Sequence, residues 1–215
     1  MPVGHLLYLH GFRSSPQSTK ARQTAAWVAA HRPDLSWWCP QLPPSPRDAI
    51  AQVSAGIANW PAESVAVIGS SLGGFYATVL AERLGCPAVL LNPAVNPARD
   101  LRRHIGETTA WHSDARFFFR AEFIDELLEL TPARLSSPQR YFAVIARGDE
   151  VLDWREMSAR YAGSRVKLLD GGDHALSDFD AHLPDITRFL GLEAAASVTS
   201  TSASASRPRG PRSRR

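Results

Sequence analysis

Residues 64–76 read SVAVIGSSLGGFY, from Ser64 to Tyr76, and how this stretch is read decides the fold. The apolar run Ser64–Ile68 is a buried-strand pattern. From Leu72 onward, Leu72, Phe75, Tyr76, Val79 and Leu80 recur on one side of a helix that Gly85 ends. Between strand and helix, Gly69-Ser70-Ser71-Leu72-Gly73 fits G-x-S-x-G with Ser71 at the centre. The bare pattern is weak, because Ser and Gly are also ordinary turn residues. The flanking strand and helix give it weight. A serine on a sharp strand-to-helix turn is forced outward at the carboxyl edge of a sheet, and its neighbours must be small because backbone nearly touches backbone. Gly69, Gly73 and Gly74 meet that demand. The helix start also aims free N–H groups at any negative charge that develops there.

The same alternation continues on both sides. Strands are expected at His5–Leu9, Leu35–Cys39, Ala88–Leu91, Tyr141–Ala146 and Val166–Leu169. Helices are expected at Lys20–Ala30, from Ser45-Pro46 through Ile50, Val53 and Ile57, at Trp154–Tyr161 and at Leu183–Leu190. Apolar strands joined by helical crossovers imply an α/β fold, a mostly parallel sheet covered by helices on both faces. One α/β domain is expected over residues 1–192, with a cap insertion over about 95–139. Within that insertion Phe123, Leu127 and Leu130 form an apolar stripe, while Glu122, Glu126 and Glu129 are expected to face elsewhere. The helix is an ordinary core element, a lid over the sheet edge, or both.

A serine hydroxyl is a poor nucleophile without a base, and the base needs an orienting group. On this kind of sheet the acid and then the histidine should follow in chain order, each just after a later strand. His174 lies after the strand VKLL in the loop GGDHAL. After YFAVIA the loop reads RGDEVLDW, offering Asp149, Glu150 and Asp153. Asp149 is nearest the strand end, with Val151 and Leu152 able to anchor the loop behind it, while Asp153 can cap the helix at Trp154; Asp149 is the favoured acid. Oxyanion donors are expected from the backbone N–H of Leu72 and, in the loop after the first strand, of Phe12. Gly11 lets that loop come close. His10, Gly11 and Asn92 are expected near the substrate pocket, with a turn-capping role the stronger reading for Asn92. Phe12, Phe75, Tyr76 and Phe117–Phe119 are candidates for an acyl-pocket wall or for core packing.

Composition narrows the function classes. The chain of 215 residues is 44% hydrophobic and 21% charged, ordinary for a globular protein. Cys39 and Cys86 have no CxxC spacing and imply neither a disulfide framework nor a zinc site. No metal and no cofactor are expected. No signal peptide is visible and no run approaches the roughly 18 apolar residues of a membrane span, so a cytoplasmic protein is the expectation. The formal charge is +3, and residues 193–215 hold Arg207, Arg209, Arg212, Arg214 and Arg215 with nothing bulky and apolar beyond Val198. That composition predicts a disordered basic tail. Such a tail can touch nucleic acid, but a solvated tail without a partner is the expected state. The expected partner is a small molecule.

Taken together, LLYLHGFRSSP, VIGSSLGGFYAT, LLNPAVNP and ARGDEVLDW…GGDHAL resemble the α/β-hydrolase superfamily, and within it the YqiA-like esterases. The resemblance runs from about Leu6 to Leu190 and omits the tail. It implies a cut-down hydrolase fold with a small cap and esterase activity on short acyl esters, with acyl-CoA thioesters as a further class. It places the nucleophile on Ser71, the acid on Asp149 and the base on His174. Two rival classes are weaker. GSSLGG lacks the Lys-Ser/Thr of a phosphate-binding loop and the spacing of GxGxxG. A non-catalytic binding protein on the same scaffold would be expected to have a degenerate site, and here all three positions are filled.

Overall fold

The computed structural model describes residues 2–109 and 116–193; the expected basic tail, apart from its first residue Glu193, lies outside the described residues. Strands β1 (His5–Leu9), β2 (Ser36–Trp38), β3 (Val65–Ser70), β4 (Ala88–Leu91), β7 (Tyr141–Ala146) and β8 (Arg165–Leu169) form one sheet in the order β2-β1-β3-β4-β7-β8. Every neighbouring pair is parallel. β3 and β7 are buried along their whole length, as strands covered on both faces should be. The strands β5 (Gly106–Thr109) and β6 (Arg116–Phe119) form a separate antiparallel pair within the insertion.

Side-chain alternation along each strand sorts the core into two layers. Leu6 and Tyr8 of β1 pack with Ala21 and Val28 of α1 (Thr19–His31) and with Leu183 and Ile186 of α7 (Leu183–Phe189). Leu7 and Leu9 face the other way. They join Ile50 and Val53 of α2 (Pro46–Gly56), Phe75, Tyr76 and Val79 of α3 (Leu72–Leu84), and Met157 of α6 (Trp154–Arg160). The insertion adds the short α4 (Pro97–Asp100) and α5 (Glu122–Leu130) to this second layer. Cys86 is buried and Cys39 half-buried, both as free thiols, and burial pushes them up to about 11 and about 12. Among the described residues, no helix is long and apolar enough to cross a membrane.

Helix ends follow local chemistry. Ser45 Oγ accepts from Asp48 N at 3.1 Å and Pro46 occupies the first turn of α2. Asp153 caps α6 by accepting from Arg155 N at 2.8 Å. Glu126 departs from the sequence expectation. It does not face outward with Glu122 and Glu129 but is buried, and its Oε2 accepts from Ser45 Oγ at 2.8 Å and from Arg47 N at 3.0 Å. The donors at the start of α2 complement a carboxylate, so the electrostatics of a helix N-terminus outweighs the helical pattern of α5 itself. Ile124 takes a core position beside Phe123 and Leu127, while Leu130 is only half-buried.

Candidate active site

Ser71 sits between β3 and α3 with φ 56° and ψ −121°, a backbone conformation that L-residues seldom adopt. The strain is held by pairing on both sides. Ser71 N donates to Leu91 O at 3.0 Å, and Ser71 O accepts from Gly74 N at 2.9 Å and Ala94 N at 3.0 Å. The glycine requirement of this turn is steric. A Cβ on Gly69 would stand 2.1 Å from Gly73 O, and one on Gly74 would stand 2.7 Å from Pro93 Cβ. Ser71→Gly is expected to stabilise the fold by about 1 kcal/mol through relief of this strain, seen as a rise of about 2–4 °C in thermal midpoint. An unchanged or lower midpoint would remove the strain argument.

The loops after β7 and β8 bring the other two groups to the serine. His174 Nε2 lies 3.0 Å from Ser71 Oγ, and His174 Nδ1 lies 2.8 Å from Asp149 Oδ2. This spacing fits a neutral ring whose Nδ1–H donates to the carboxylate and whose Nε2 accepts from the hydroxyl. The Asp149 side chain is fully buried. Its other oxygen accepts from Val151 N and Leu152 N, each at 2.8 Å. The loop is thus anchored by backbone amides, while the Val151 and Leu152 side chains line the cavity. Glu150 takes a different part: its Oε2 accepts from His174 N at 3.0 Å. Asp153 is spent on the α6 cap.

Several groups position the histidine loop. Asn92 is buried at φ 41°, and its Oδ1 accepts from Ala146 N at 2.8 Å. Its Nδ2 donates to Asp173 O at 3.0 Å and to His174 O at 3.3 Å. One amide therefore ties the end of β4 to the end of β7 and to the loop carrying His174. Lys20 Nζ donates to Ala175 O from α1. Burial pushes Lys20 down to about 8, against the opposing pull of Asp173 and Asp149. These roles of Asn92, Lys20 and Glu150 were not read from sequence; only the position of Asn92 at a strand end hinted at one. Asn92→Ala should cost about 1–3 kcal/mol, since it leaves the buried Ala146 N–H and two carbonyls without their partner. Chemical denaturation measures the loss, and a change under 0.5 kcal/mol would contradict the tie.

A cavity of about 210 Å³ opens beside Ser71. Phe12, Leu72, Ala94, Val151, Leu152 and His174 line it together with Pro97, Leu101 and His104 of the insertion. The insertion thus contributes part of the cavity wall. His10, Gly11 and Asn92 do not line this cavity, contrary to expectation. His10 is buried: its Nδ1 lies 2.9 Å from Gly11 O and its Nε2 accepts from Leu42 N at 3.1 Å, so the ring ties two loops together. Burial holds His10 below the usual histidine range. Gly11 presses on the serine turn, where an added Cβ would stand 3.1 Å from Ser71 Cβ. Phe12 lies at the cavity with its ring centroid 5.3 Å from that of Phe119. Phe75, Tyr76 and Phe119 are buried in the core, and Phe118 is exposed.

A parallel sheet, a strained serine between strand and helix, and an acid and a histidine delivered by later strand ends define the α/β-hydrolase superfamily. Solved structures of low sequence identity share the fold. An Agrobacterium vitis protein provisionally described as a hydrolase has a TM-score of 0.70 at 16% identity, with 88% of this chain and 91% of that one covered. Mouse alpha/beta hydrolase domain-containing protein 10 gives 0.64 at 16% identity, covering 86% and 87%. A metagenome-derived lipolytic enzyme of the LipS and LipT pair gives 0.62 at 18% identity, covering 89% and 96%. Within the superfamily, the sequence model of the Uncharacterised protein family (UPF0227) matches residues 5–191, and the chain belongs to that family.

Proposed function

We propose that the protein is a serine esterase that hydrolyses carboxylic esters of short acyl groups, with acyl-CoA thioesters as a further class, through an acyl-Ser71 intermediate. The observation that carries this reading is the continuous path from Asp149 through His174 to Ser71, at 2.8 and 3.0 Å, ending in the cavity. Ser71 Oγ attacks the ester carbonyl carbon as its proton passes to His174 Nε2. Asp149 holds the ring in the required tautomer and stabilises the imidazolium. Leu72 N–H, at the start of α3, and Phe12 N–H are the donors assigned to the tetrahedral oxyanion. His174 then protonates the leaving alkoxide or thiolate, releasing alcohol or thiol and leaving acyl-Ser71. Water enters, gives its proton to His174 Nε2 and attacks the acyl carbon; collapse returns the proton to Ser71 and releases the carboxylic acid.

The lipolytic enzyme of similar fold supports this reading at the level of reaction class. The cavity supports the short acyl group, being smaller than the roughly 300–1,000 Å³ of sites that take drug-sized ligands. A small ester as sole partner and a cytoplasmic location complete the proposal, the latter resting on the two unpaired thiols. A series of 4-nitrophenyl esters and acyl-CoA thioesters of increasing chain length tests it. Turnover should be highest at two to about six carbons. Absence of turnover with every member would overturn the proposal, and a preference for long chains would overturn its chain-length part.

A further inference from the structure

We propose that Phe119 of the insertion positions the oxyanion donor Phe12 N–H, so that this buried ring governs kcat without touching the substrate. The role rests on the hydrolase reading of Ser71 and adds a positioning residue to it. Phe119 is fully buried and does not line the cavity; it acts through Phe12, which does. The loop after β1 needs such a support. Ser14 N donates to Gly11 O at 3.2 Å, closing a four-residue turn with Phe12 and Arg13 at its centre. Arg13 holds φ 62° while the φ of Phe12 is not positive, the pattern of a type II turn. Such a turn calls for glycine at the place of Arg13, and a residue with a Cβ stays there only where its surroundings over-determine it. One side of the turn is fixed by the body. His10 Nε2 accepts from Leu42 N, so its Nδ1–H donates to Gly11 O at 2.9 Å. A Cβ added to Gly11 would stand 3.3 Å from Ser70 O and 3.6 Å from Ser71 Oγ, so the chain entering Phe12 runs beside the nucleophile.

The other side of the turn is held by rings of the insertion. The Phe12 ring meets that of Phe119 edge-on, with 5.3 Å between centroids and 79° between planes, and it meets the His104 ring at 5.3 Å and 53°. Phe119 in turn meets Phe123 edge-on at 5.4 Å and 70°. Phe123 and Glu126 stand three residues apart on α5, on neighbouring positions of the helix surface. Glu126 is the carboxylate that accepts from Ser45 Oγ and Arg47 N at the start of α2. A row of rings therefore runs from the oxyanion loop to a helix fastened to the body of the domain. Leucine at position 119 keeps an apolar side chain but removes the edge-on contact. Phe12 then gains freedom to turn, and the strained turn beside it can relax. A donor displaced by about 1 Å loses most of its hold on the developing oxyanion and little of its hold on the neutral ester.

Steady-state kinetics with 4-nitrophenyl acetate and amide hydrogen exchange read by NMR test the role on the full chain. Phe119→Leu should lower kcat by about 10–100-fold, short of the loss of a whole donor, and change KM by less than about threefold. Phe142→Leu is the control. It makes the same change at a fully buried ring in the other core layer, beside Phe189, and should keep kcat within about threefold. Phe12→Leu should lower kcat in the same way as Phe119→Leu. The double variant should lose less than about threefold more than the weaker single one, because both changes remove one contact. Exchange reads the support without chemistry. The Ser14 amide, whose hydrogen bond closes the turn, should exchange about tenfold faster in Phe119→Leu than in the parent, and no faster in Phe142→Leu. If Phe119→Leu does not fold, Phe12→Leu, at a half-buried ring, carries the same comparison of exchange and of kcat against KM. Equal losses of kcat in Phe119→Leu and Phe142→Leu, a loss confined to KM, or unchanged Ser14 exchange would overturn the positioning role while leaving Ser71 as the nucleophile. No ester turnover by the parent protein would instead overturn the hydrolase reading, and the exchange comparison would still decide whether Phe119 holds the loop.

Discussion

Ser71→Ala should lower kcat for 4-nitrophenyl acetate by about 10⁶-fold, leaving only what oxyanion donors and binding contribute. Ser70→Ala should lower it by less than about tenfold, because Ser70 donates no electrons to the reaction and acts only through the turn. The two serines are adjacent but not equivalent. Ser70 is the last residue of β3, buried and paired in register with Leu91 of β4. Ser71 lies past the strand, 3.0 Å from His174 Nε2 and on the cavity wall. Alanine at position 71 keeps the same strained backbone and removes only the hydroxyl, so the thermal midpoint should move by no more than about 2 °C. Steady-state kinetics of both variants, with thermal melts as the control for folding, measure the contrast. Similar losses in the two variants would contradict it.

Gly73→Ala should abolish the fold rather than the chemistry. A Cβ there would stand 2.0 Å from Leu9 O, 2.5 Å from Leu9 C and 2.7 Å from His10 O. All three are backbone atoms at the end of β1, a strand paired on both sides, so no rotamer change relieves the clash. Pushing α3 away from the sheet instead would open the layer that holds Phe75, Tyr76 and Val79. The cost should exceed about 4 kcal/mol, a large part of the roughly 5–15 kcal/mol that holds a domain folded. Soluble yield and circular dichroism read the result. Gly171→Ala is the matched control: an added Cβ meets nothing within 4 Å and the backbone there is not left-handed. That variant should fold and melt within about 0.5 kcal/mol of the parent. A folded Gly73→Ala protein with a normal midpoint would mean that the helix is not pinned at the strand end.

The parallel sheet was legible because its strands are short apolar runs bounded by Gly, Pro and polar residues. Tyr141–Ala146 formed over the expected residues, and α1 extended by only one residue at each end, to Thr19–His31. The Ser71, Asp149 and His174 alignment was legible because chain order and strand ends constrain where such groups can meet. The β5–β6 pair was not. Gly106–Thr109 reads GETT, polar and without alternation, and it forms through pairing with Arg116–Phe119 rather than through its own pattern. Glu126 was misread because helical periodicity describes one element, whereas its partners lie on α2. His10 was assigned to the pocket because a polar residue at a strand end suggests ligand contact, and Asn92 was read as a turn cap first and a pocket residue second. Both instead satisfy backbone groups of loops far away in sequence, which no local pattern reveals.

The central claim is that an acyl group passes through Ser71. Acid quenching during turnover of 4-nitrophenyl acetate, followed by mass spectrometry of the intact chain and of its peptides, tests it most directly. The account predicts one acetyl adduct per chain, on Ser71, formed with a matching burst of 4-nitrophenolate, lost in Ser71→Ala and slowed in His174→Ala. Turnover without any adduct, or an adduct that remains on another residue in an active Ser71→Ala protein, would contradict it.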